Sequence, residues 1–291
     1  KPVTGRDGYQ VEINALWYNA VSYTLELAHK HRDTTFVHQW KEVPAQIKTS
    51  FLELFWNTKE EYLADYVDDQ GQNMFIRPNQ IIACSLPYRM LSESQVLDVL
   101  LIVRRHLLTP KGLRTLSPSN PLYEGRYEGD QPTRDKAYHQ GTVWPWLLEH
   151  YAQACFNIKG ADFCNEAIEL IKNFEEDISD NGLASISEIY DGDPPFDARG
   201  AFSQAWSVGA ILRINEMIEN YGGYQQKESW EWLPKREGRS SCPNRKTIPP
   251  RLIETNPKIE TGVVEESRGK GTRERERKKK EKHRNEKRSK K

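Results

Sequence analysis

Three carboxylates stand close together on a loop rich in glycine and proline, residues 187–195. Glu188, Asp191 and Asp193 fall within six residues, ahead of a predicted helix. General acid–base catalysis needs carboxyl groups at fixed positions, so this spacing indicates hydrolytic chemistry. The alternative is local, because Asp-Gly-Asp is also a turn-forming sequence, and two of the three carboxylates would then only shape the turn.

Aromatic residues alternate with Arg, Asp, His and Gln in a second region, residues 123–146. This mixture is suited to sugars, because rings stack on the apolar faces of a sugar while polar side chains bond its hydroxyls. Phosphate is a poorer match, since no glycine-rich loop opens a helix here. Trp144 and Trp146 are equally consistent with core positions. His139 has no His or Cys partner at metal-ligand spacing, so we predict no metal site.

The elements that must position these residues are predicted to be helices. Apolar residues recur at helical spacing in seven segments, and no segment shows the alternation typical of a strand. The predicted fold class is therefore all-α, built from αα-hairpins. Pro87 should end or kink the third segment, and Ser92 with Gln95 predicts a capping box at the fourth. The segments are residues 11–32, 43–55, 79–90, 92–103, 141–158, 161–176 and 202–221.

Two long polar connections, residues 109–139 and 177–201, join these predicted helices. Loops of more than about 12–15 residues inside a compact domain are usually functional. A helical scaffold with two such loops predicts a site built at one end of a helix bundle or barrel.

The charges divide the chain into two parts. The whole sequence balances 42 basic against 42 acidic residues. Residues 1–223 hold 20 basic and 31 acidic residues, whereas residues 268–291 hold 14 basic and 4 acidic. Residues 224–291 are mostly polar and show no sustained apolar period, so we predict a domain at 1–223 followed by a disordered tail.

The basic tail allows two interpretations. One is nucleic-acid binding through contacts to phosphates. The other is a tail without an evolved function, such as a read-through or out-of-frame end. Its start directly after a Gly222-Gly223 helix stop favours the second interpretation, so we do not predict a nucleic-acid partner.

Several classes of protein are excluded by the sequence. No apolar run approaches the roughly 18 residues of a membrane-spanning helix, and the first residues lack the apolar region of a signal peptide. The four cysteines show no Cys-x-x-Cys spacing, which favours reduced, buried thiols; they are Cys84, Cys155, Cys164 and Cys242. We therefore expect a cytoplasmic protein with no membrane partner, although a mature secreted fragment would have the same features.

Five ordered segments resemble a known family. They are VEINALWYNA, IRPNQ, YHQGTVWPW, SEIYDG and QAWSV, at residues 11–20, 76–80, 138–146, 187–192 and 204–208. Together they are similar to the C-terminal glucosidase domain of glycogen debranching enzymes, relatives of glucoamylase, over residues 2–221. The resemblance implies an (α/α)6 barrel and hydrolysis of α-1,6-linked glucose at the branch points of glycogen or another branched α-glucan. It also implies inversion at the anomeric carbon without a cofactor.

The resemblance assigns roles to particular residues. It implies that Glu188 is the general base, and that a general acid lies in a Trp-Met-Asp motif just before residues 11–20. That motif is absent from the sequence. Since seven helices are fewer than the twelve of the barrel, we expect residues 1–223 to be a partial barrel domain, truncated at its N-terminus and lacking the acid. Candidates for holding the terminal glucose are Arg77, Tyr123, Arg134, His139, Gln140, Trp144 and Trp146.

Three functions stay open at this stage. The first is a debranching α-1,6-glucosidase, and the second is a non-catalytic carbohydrate-binding fragment that keeps the aromatic pocket. The third is nucleic-acid binding through the basic tail. Retention on an immobilised glucan separates the sugar-binding functions from the third, because contacts to phosphates weaken steeply with salt.

Overall fold

The computed structural model describes residues 3–180 and 184–222, which hold ten α-helices and ten short β-strands. The predicted tail at 224–291 and Cys242 lie outside the described residues. The helices are α1 (Val11–His31), α2 (Thr34–Trp40), α3 (Val43–Phe55), α4 (Gln80–Ser85), α5 (Glu93–His106), α6 (Gln131–Ala137), α7 (Leu147–Lys159), α8 (Cys164–Lys172), α9 (Glu175–Asp180) and α10 (Ala205–Asn220).

All seven predicted helical segments contain helix, but their ends differ from the prediction. The third segment is helical only over α4, because Leu86 precedes Pro87 and is forced into an extended conformation. The capping box is confirmed at α5, where Ser92 and Gln95 bond each other's backbone N–H. Two short helices, α2 and α6, were not predicted; each begins after an aspartate whose side chain accepts a bond from the first turn.

The prediction of a purely all-α fold is wrong, because three small antiparallel sheets accompany the helices. The largest has the order β10-β9-β8-β7-β6, and the others are β1-β4-β5 and β2-β3. The strands are only two or three residues long, too short to show alternation in the sequence. They are β1 (Tyr9–Gln10), β2 (Trp56–Asn57), β3 (Tyr62–Leu63), β4 (Tyr66–Asp68), β5 (Gly71–Asn73), β6 (Leu108–Thr109), β7 (Gly112–Arg114), β8 (Val143–Trp144), β9 (Ile189–Tyr190) and β10 (Ala198–Arg199).

The five-stranded sheet joins the two long polar connections. Strand β8, which carries Trp144, pairs on one side with β7 and on the other with β9, where Val143 lies opposite Tyr190. Strand β9 directly follows Glu188. The sheet therefore brings the aromatic region and the carboxylate loop together, although they are far apart in the sequence.

Four helices form a consecutive arc within the described residues. Helix α1 packs against α4, α4 packs against α7, and α7 packs against α10. On the other side of the arc, α3 packs against α1, α5 against α4 and α7, and α8 against α10. We refer to α1, α4, α7 and α10 as the inner helices, because they are the alternate members of successive hairpins.

Apolar side chains fill the space between the two layers. The largest completely buried ones include Phe55, Tyr151, Phe156, Phe163 and Phe174. Cys84, Cys155 and Cys164 are free and buried, as predicted, and burial raises the pKa of the Cys155 thiol to about 12. No helix in the described ranges is both long and apolar enough to cross a membrane.

Candidate active site

A cavity of ≈ 400 Å³ lies where the inner helices begin. Asn79 precedes α4, Trp146 precedes α7 and Trp206 is in the first turn of α10, while Arg6 comes shortly before α1. The residues lining the cavity are Thr4, Arg6, Arg77, Pro78, Asn79, Thr115, His139, Trp144, Trp146, Leu147 and Trp206. The prediction of a site at one end of the helical scaffold agrees with this position.

Aromatic rings form one wall of the cavity. The ring of His139 stacks on Trp144 with centroids 5.5 Å apart and an interplanar angle of 9°. Trp206 lies 5.6 Å from Trp144 and 6.3 Å from Trp146, measured between ring centroids. Trp144 is itself buried and donates from Nε1 to the carbonyl of Tyr138, so it is both a core residue and a cavity residue. Such a wall suits the flat apolar face of a sugar.

Polar residues that line the cavity, Arg6 and Asn79, converge on the buried Asp65. Arg6 donates to Asp65 from Nε at 2.7 Å, and Asn79 donates to it from Nδ2 at 2.7 Å. Arg6 also forms a bidentate salt bridge with Glu12, with N···O distances of 2.6 and 2.8 Å. Burial raises the pKa of the Asp65 carboxyl, while the Arg6 guanidinium opposes that rise. Asp65 is occupied by these partners and serves to fix the side chains that face the cavity.

The predicted residue Arg77 holds the aromatic wall in place. Its guanidinium donates to the carbonyl of His139 at 2.6 Å, to the carbonyl of Thr115 at 3.0 Å and to Oε1 of Gln140 at 2.5 Å. Gln140 is buried and does not line the cavity, so it contributes by anchoring Arg77. Burial, reinforced by the charges of Arg77 and Arg6, lowers the pKa of His139, which favours a neutral imidazole.

Glu188 is half-buried and bonded through both carboxylate oxygens. Oε1 accepts from the hydroxyl of Tyr138 at 2.7 Å, and Oε2 accepts from the backbone N–H of Ala201 at 3.1 Å. Glycine is favoured at position 200, because its φ is +68° and a Cβ there would lie 2.5 Å from Oε2, so the Glu188 side chain would have to move. Glu188 does not line the cavity directly, but the Tyr138 ring lies 4.8 Å from that of Trp144 in the cavity wall.

The other two loop carboxylates have structural partners. Asp191 is completely buried; it accepts from Arg199 at 2.8 and 3.1 Å, from Arg126 at 3.3 Å and from the backbone of Tyr127 at 2.8 Å. Asp193 accepts from the hydroxyl of Tyr123 at 2.9 Å. This agrees with the interpretation that two of the three carboxylates shape the loop.

Two predicted binding residues lie away from the cavity. Tyr123 is occupied by Asp193, and burial together with that bond raises its pKa to about 12. Arg134 is on α6 and donates to the carbonyl of Gly129. The structure therefore brings Arg77, His139, Trp144 and Trp146 together around one cavity. The binding roles of all seven predicted residues, and the catalytic role of Glu188, stay predictions.

Seven residues that line the cavity are not among the predicted binding residues: Thr4, Arg6, Pro78, Asn79, Thr115, Leu147 and Trp206. Trp206 lies in the segment QAWSV, residues 204–208, which follows the carboxylate loop. This position could have identified it as a residue of the site. Asn79 belongs to the stretch Arg77-Pro78-Asn79-Gln80, which the sequence already indicates as a source of polar groups at a helix N-terminus. Thr4 and Arg6 gave no signal, because the Arg6 partner Asp65 is 59 positions away. Among the described residues, no group of three or more His, Cys, Asp or Glu side chains is arranged to hold a metal.

The bond between Tyr138 and Glu188 leads to a first prediction. Tyr138→Phe removes the donor and keeps the ring, so kcat should fall about 10-fold in an enzyme with a complete site, with little change in KM. Tyr127→Phe is the matched control, because its ring packs 5.6 Å from Tyr138 and its hydroxyl makes no hydrogen bond in the described part of the chain. Equal kcat values for the two variants, measured by glucose release, would exclude a positioning role for the Tyr138 hydroxyl.

Solved structures define the class of fold. The chain is similar to neutral trehalase Nth1 from Saccharomyces cerevisiae, with a TM-score of 0.55 and 12% identity over 74% of this chain and 40% of that one. It is also similar to the GH63 mannosylglycerate hydrolase of Thermus thermophilus, with a TM-score of 0.50 and 15% identity over 71% of this chain and 47% of that one. These neighbours are (α/α)6-barrel enzymes, so the described residues have part of that fold.

Sequence comparison defines the family. The model of the amylo-alpha-1,6-glucosidase family matches residues 1–213, and the chain belongs to that family. The chain is also 25% identical over 269 residues to the glycogen debranching enzyme of Saccharomyces cerevisiae, covering 73% of this chain and 17% of that protein. It thus spans less than a fifth of the length of this relative.

Proposed function

We propose that this chain provides the general-base side of an inverting α-1,6-glucosidase site that acts on glycogen or a similar branched α-glucan. The observation that carries the proposal is the Glu188 carboxylate, fixed by Tyr138 and Ala201 beside the aromatic cavity. Family membership and the debranching enzyme of Saccharomyces cerevisiae support the choice of substrate. We also propose that the protein acts in the cytoplasm.

Glu188 would remove a proton from a water molecule on the face of the glucose opposite the scissile bond. The water oxygen then bonds to the anomeric carbon as the bond to the leaving oxygen breaks, and a general acid protonates that oxygen. Inverting enzymes hold the two carboxyl groups about 6.5–9.5 Å apart to leave room for the water. Since Trp-Met-Asp does not occur in the sequence, we assign the acid to a segment outside this chain.

The glucose would lie against the tryptophan wall, with its hydroxyls toward His139 and the Arg6–Asn79 side. A neutral His139 can accept a hydrogen bond from one hydroxyl and donate one to another. In this proposal Arg77 acts mainly by positioning, since Nη1 bonds the carbonyls of His139 and Thr115 and Nη2 bonds Gln140.

The missing acid motif also favours a second function, a carbohydrate-binding fragment without catalysis. We predict that the chain hydrolyses neither glycogen limit dextrin nor panose above a Glu188→Gln control. We also predict that glycogen–agarose retains it at high salt, because stacking on a sugar is not screened. Glucose release well above the control would require an acid among the carboxylates of this chain.

The same column tests the cavity. Trp206→Ala should weaken retention, because it removes a half-exposed ring from the aromatic wall. Trp40→Ala is the matched control, since Trp40 packs on Phe36 and Trp17 rather than in the cavity. Retention that disappears at high salt would instead indicate charge-based binding.

A further inference from the structure

A second cavity, of ≈ 620 Å³, lies between α7, α10 and the end of α4. It shares no lining residue with the aromatic cavity, so the proposed catalytic site does not use it. Glu149, Gln153 and Asn157 follow one another on α7 at intervals of four, so they lie on one face of that helix and line the cavity together. We refer to this cavity as the α7 pocket.

Arg89 brings a positive charge to the α7 pocket. The residue is partly buried, and its guanidinium forms no hydrogen bond or ion pair with the residues that the structure describes. The other arginine of the pocket, Arg213, is already paired with Glu216 at 2.6 Å. Guanidinium groups bind phosphates and carboxylates through charge-assisted hydrogen bonds. An anionic group of a ligand can therefore pair with Arg89.

His150 presents a hydrogen-bond acceptor to the same pocket. Its Nδ1 lies 2.8 Å from Oγ of the buried Ser85, and that hydroxyl donates to the carbonyl of Ile82 at 3.1 Å. Since the hydroxyl has only one hydrogen, Nδ1 is the donor of this pair. Burial lowers the pKa of His150, which favours a neutral imidazole whose Nε2 accepts. Nε2 lies 3.7 Å from Oε1 of Glu149, so two acceptors are available for the hydroxyls of a ligand.

Two amides and an aromatic ring complete the α7 pocket. Gln153 donates from Nε2 to Oδ1 of Asn157 at 2.9 Å. Within the described ranges, Oε1 of Gln153 and Nδ2 of Asn157 have no other partner and can bond to a ligand. Tyr221 stacks on Phe156 with ring centroids 4.7 Å apart and is 39% exposed, so one face of its ring is free. Hydroxyl partners beside a free aromatic face are typical of a sugar site.

We propose that the α7 pocket binds a phosphorylated sugar with one hexose ring. The phosphate pairs with Arg89, the hydroxyls bond to Glu149, His150 and Gln153, and the apolar face of the ring lies against Tyr221. A cavity of ≈ 620 Å³ is within the range that encloses a small ligand. The proposal goes beyond the proposed glucosidase function and does not depend on it.

Calorimetric titration of the full chain with glucose 6-phosphate tests this binding. We expect one site per chain, and Arg89→Gln should weaken binding by about 30-fold because it removes charge-assisted hydrogen bonds. Arg105→Gln is the matched control, because Arg105 is an exposed arginine of α5 that does not line the pocket. The control should bind like the unmodified chain. No binding by the unmodified chain, or equal weakening by both substitutions, would overturn the proposal.

Further titrations test the sugar and the location of the ligand. Gln153→Leu should weaken the binding of glucose 6-phosphate and leave the weaker binding of inorganic phosphate unchanged, since Gln153 contacts only the hydroxyls. Inorganic phosphate or AMP that binds as tightly as glucose 6-phosphate would overturn the proposed ligand. Binding that is lost in Trp206→Ala but kept in Arg89→Gln would assign the ligand to the aromatic cavity and overturn the proposed site.

Discussion

Glu188→Gln should lower kcat by about 10²–10⁴-fold in an enzyme assembled from this chain and a segment that carries the general acid. The amide keeps the shape of the side chain but cannot take a proton from water. It can still accept from Tyr138 or Ala201, so substrate binding and KM should change little. The measurement is glucose release from a branched substrate at saturating concentration, with kcat and KM determined separately.

Asp193→Asn is the control for this prediction. It lies on the same loop, and its described side-chain bond is to the hydroxyl of Tyr123. Its kcat should stay within a few-fold of the unmodified enzyme. If Asp193→Asn were the crippling change and Glu188→Gln were near normal, the base would have to be reassigned within the loop, while the fold and family would stand.

Asp191→Asn should lower the free energy of unfolding by about 2–3 kcal/mol. Asp191 is completely buried and accepts three bonds from Arg126 and Arg199, so the neutral amide removes the nearest counter-charge of both guanidinium groups. This loss of stability is smaller than expected for a fully buried ion pair, because the side chains of Arg126 and Arg199 are 41% and 29% exposed and solvent screens their charges. A fall in Tm of roughly 5–10 °C is expected.

The matched control is Asp197→Asn. Asp197 also lies near both arginines, but at 3.6 Å, and its side chain is 49% exposed. Exposed ion pairs contribute little, so its effect should be below about 1 kcal/mol. Thermal melts of the two variants followed by circular dichroism provide the comparison. Equal Tm values would mean that solvent already satisfies the arginines around Asp191.

The long helices could be predicted because their stabilising pattern is local. Helix α5 begins at a capping box that is visible in four consecutive residues, and α1 and α10 have clear helical spacing. The strands could not be predicted in this way. Pairing such as Val143 opposite Tyr190 joins residues far apart in the chain, and two-residue strands leave no pattern of their own. The start of α6 was detectable at Asp130, which caps it, but the surrounding loop composition obscured it.

The site was partly predictable for the same reason. The motif segments contain Arg77, His139, Trp144 and Trp146, which the structure brings to one cavity. The contacts that orient them are not local: Tyr138 reaches Glu188 across 50 positions, and Arg77 reaches Gln140 across 63. Residue type therefore indicated the chemistry, whereas the distinction between a side chain that faces the cavity and one that supports it required the fold.

The most direct test of Glu188 as the base of an inverting site is azide rescue of Glu188→Ala in the assembled enzyme. Azide can occupy the space left by the carboxylate, attack the anomeric carbon on the face opposite the leaving oxygen and need no base, while the general acid protonates that oxygen. We predict restored turnover and a β-configured glucosyl azide, identified by the NMR signal of its anomeric proton. An α-configured product would contradict the account. So would azide rescue of Asp193→Ala without rescue of Glu188→Ala.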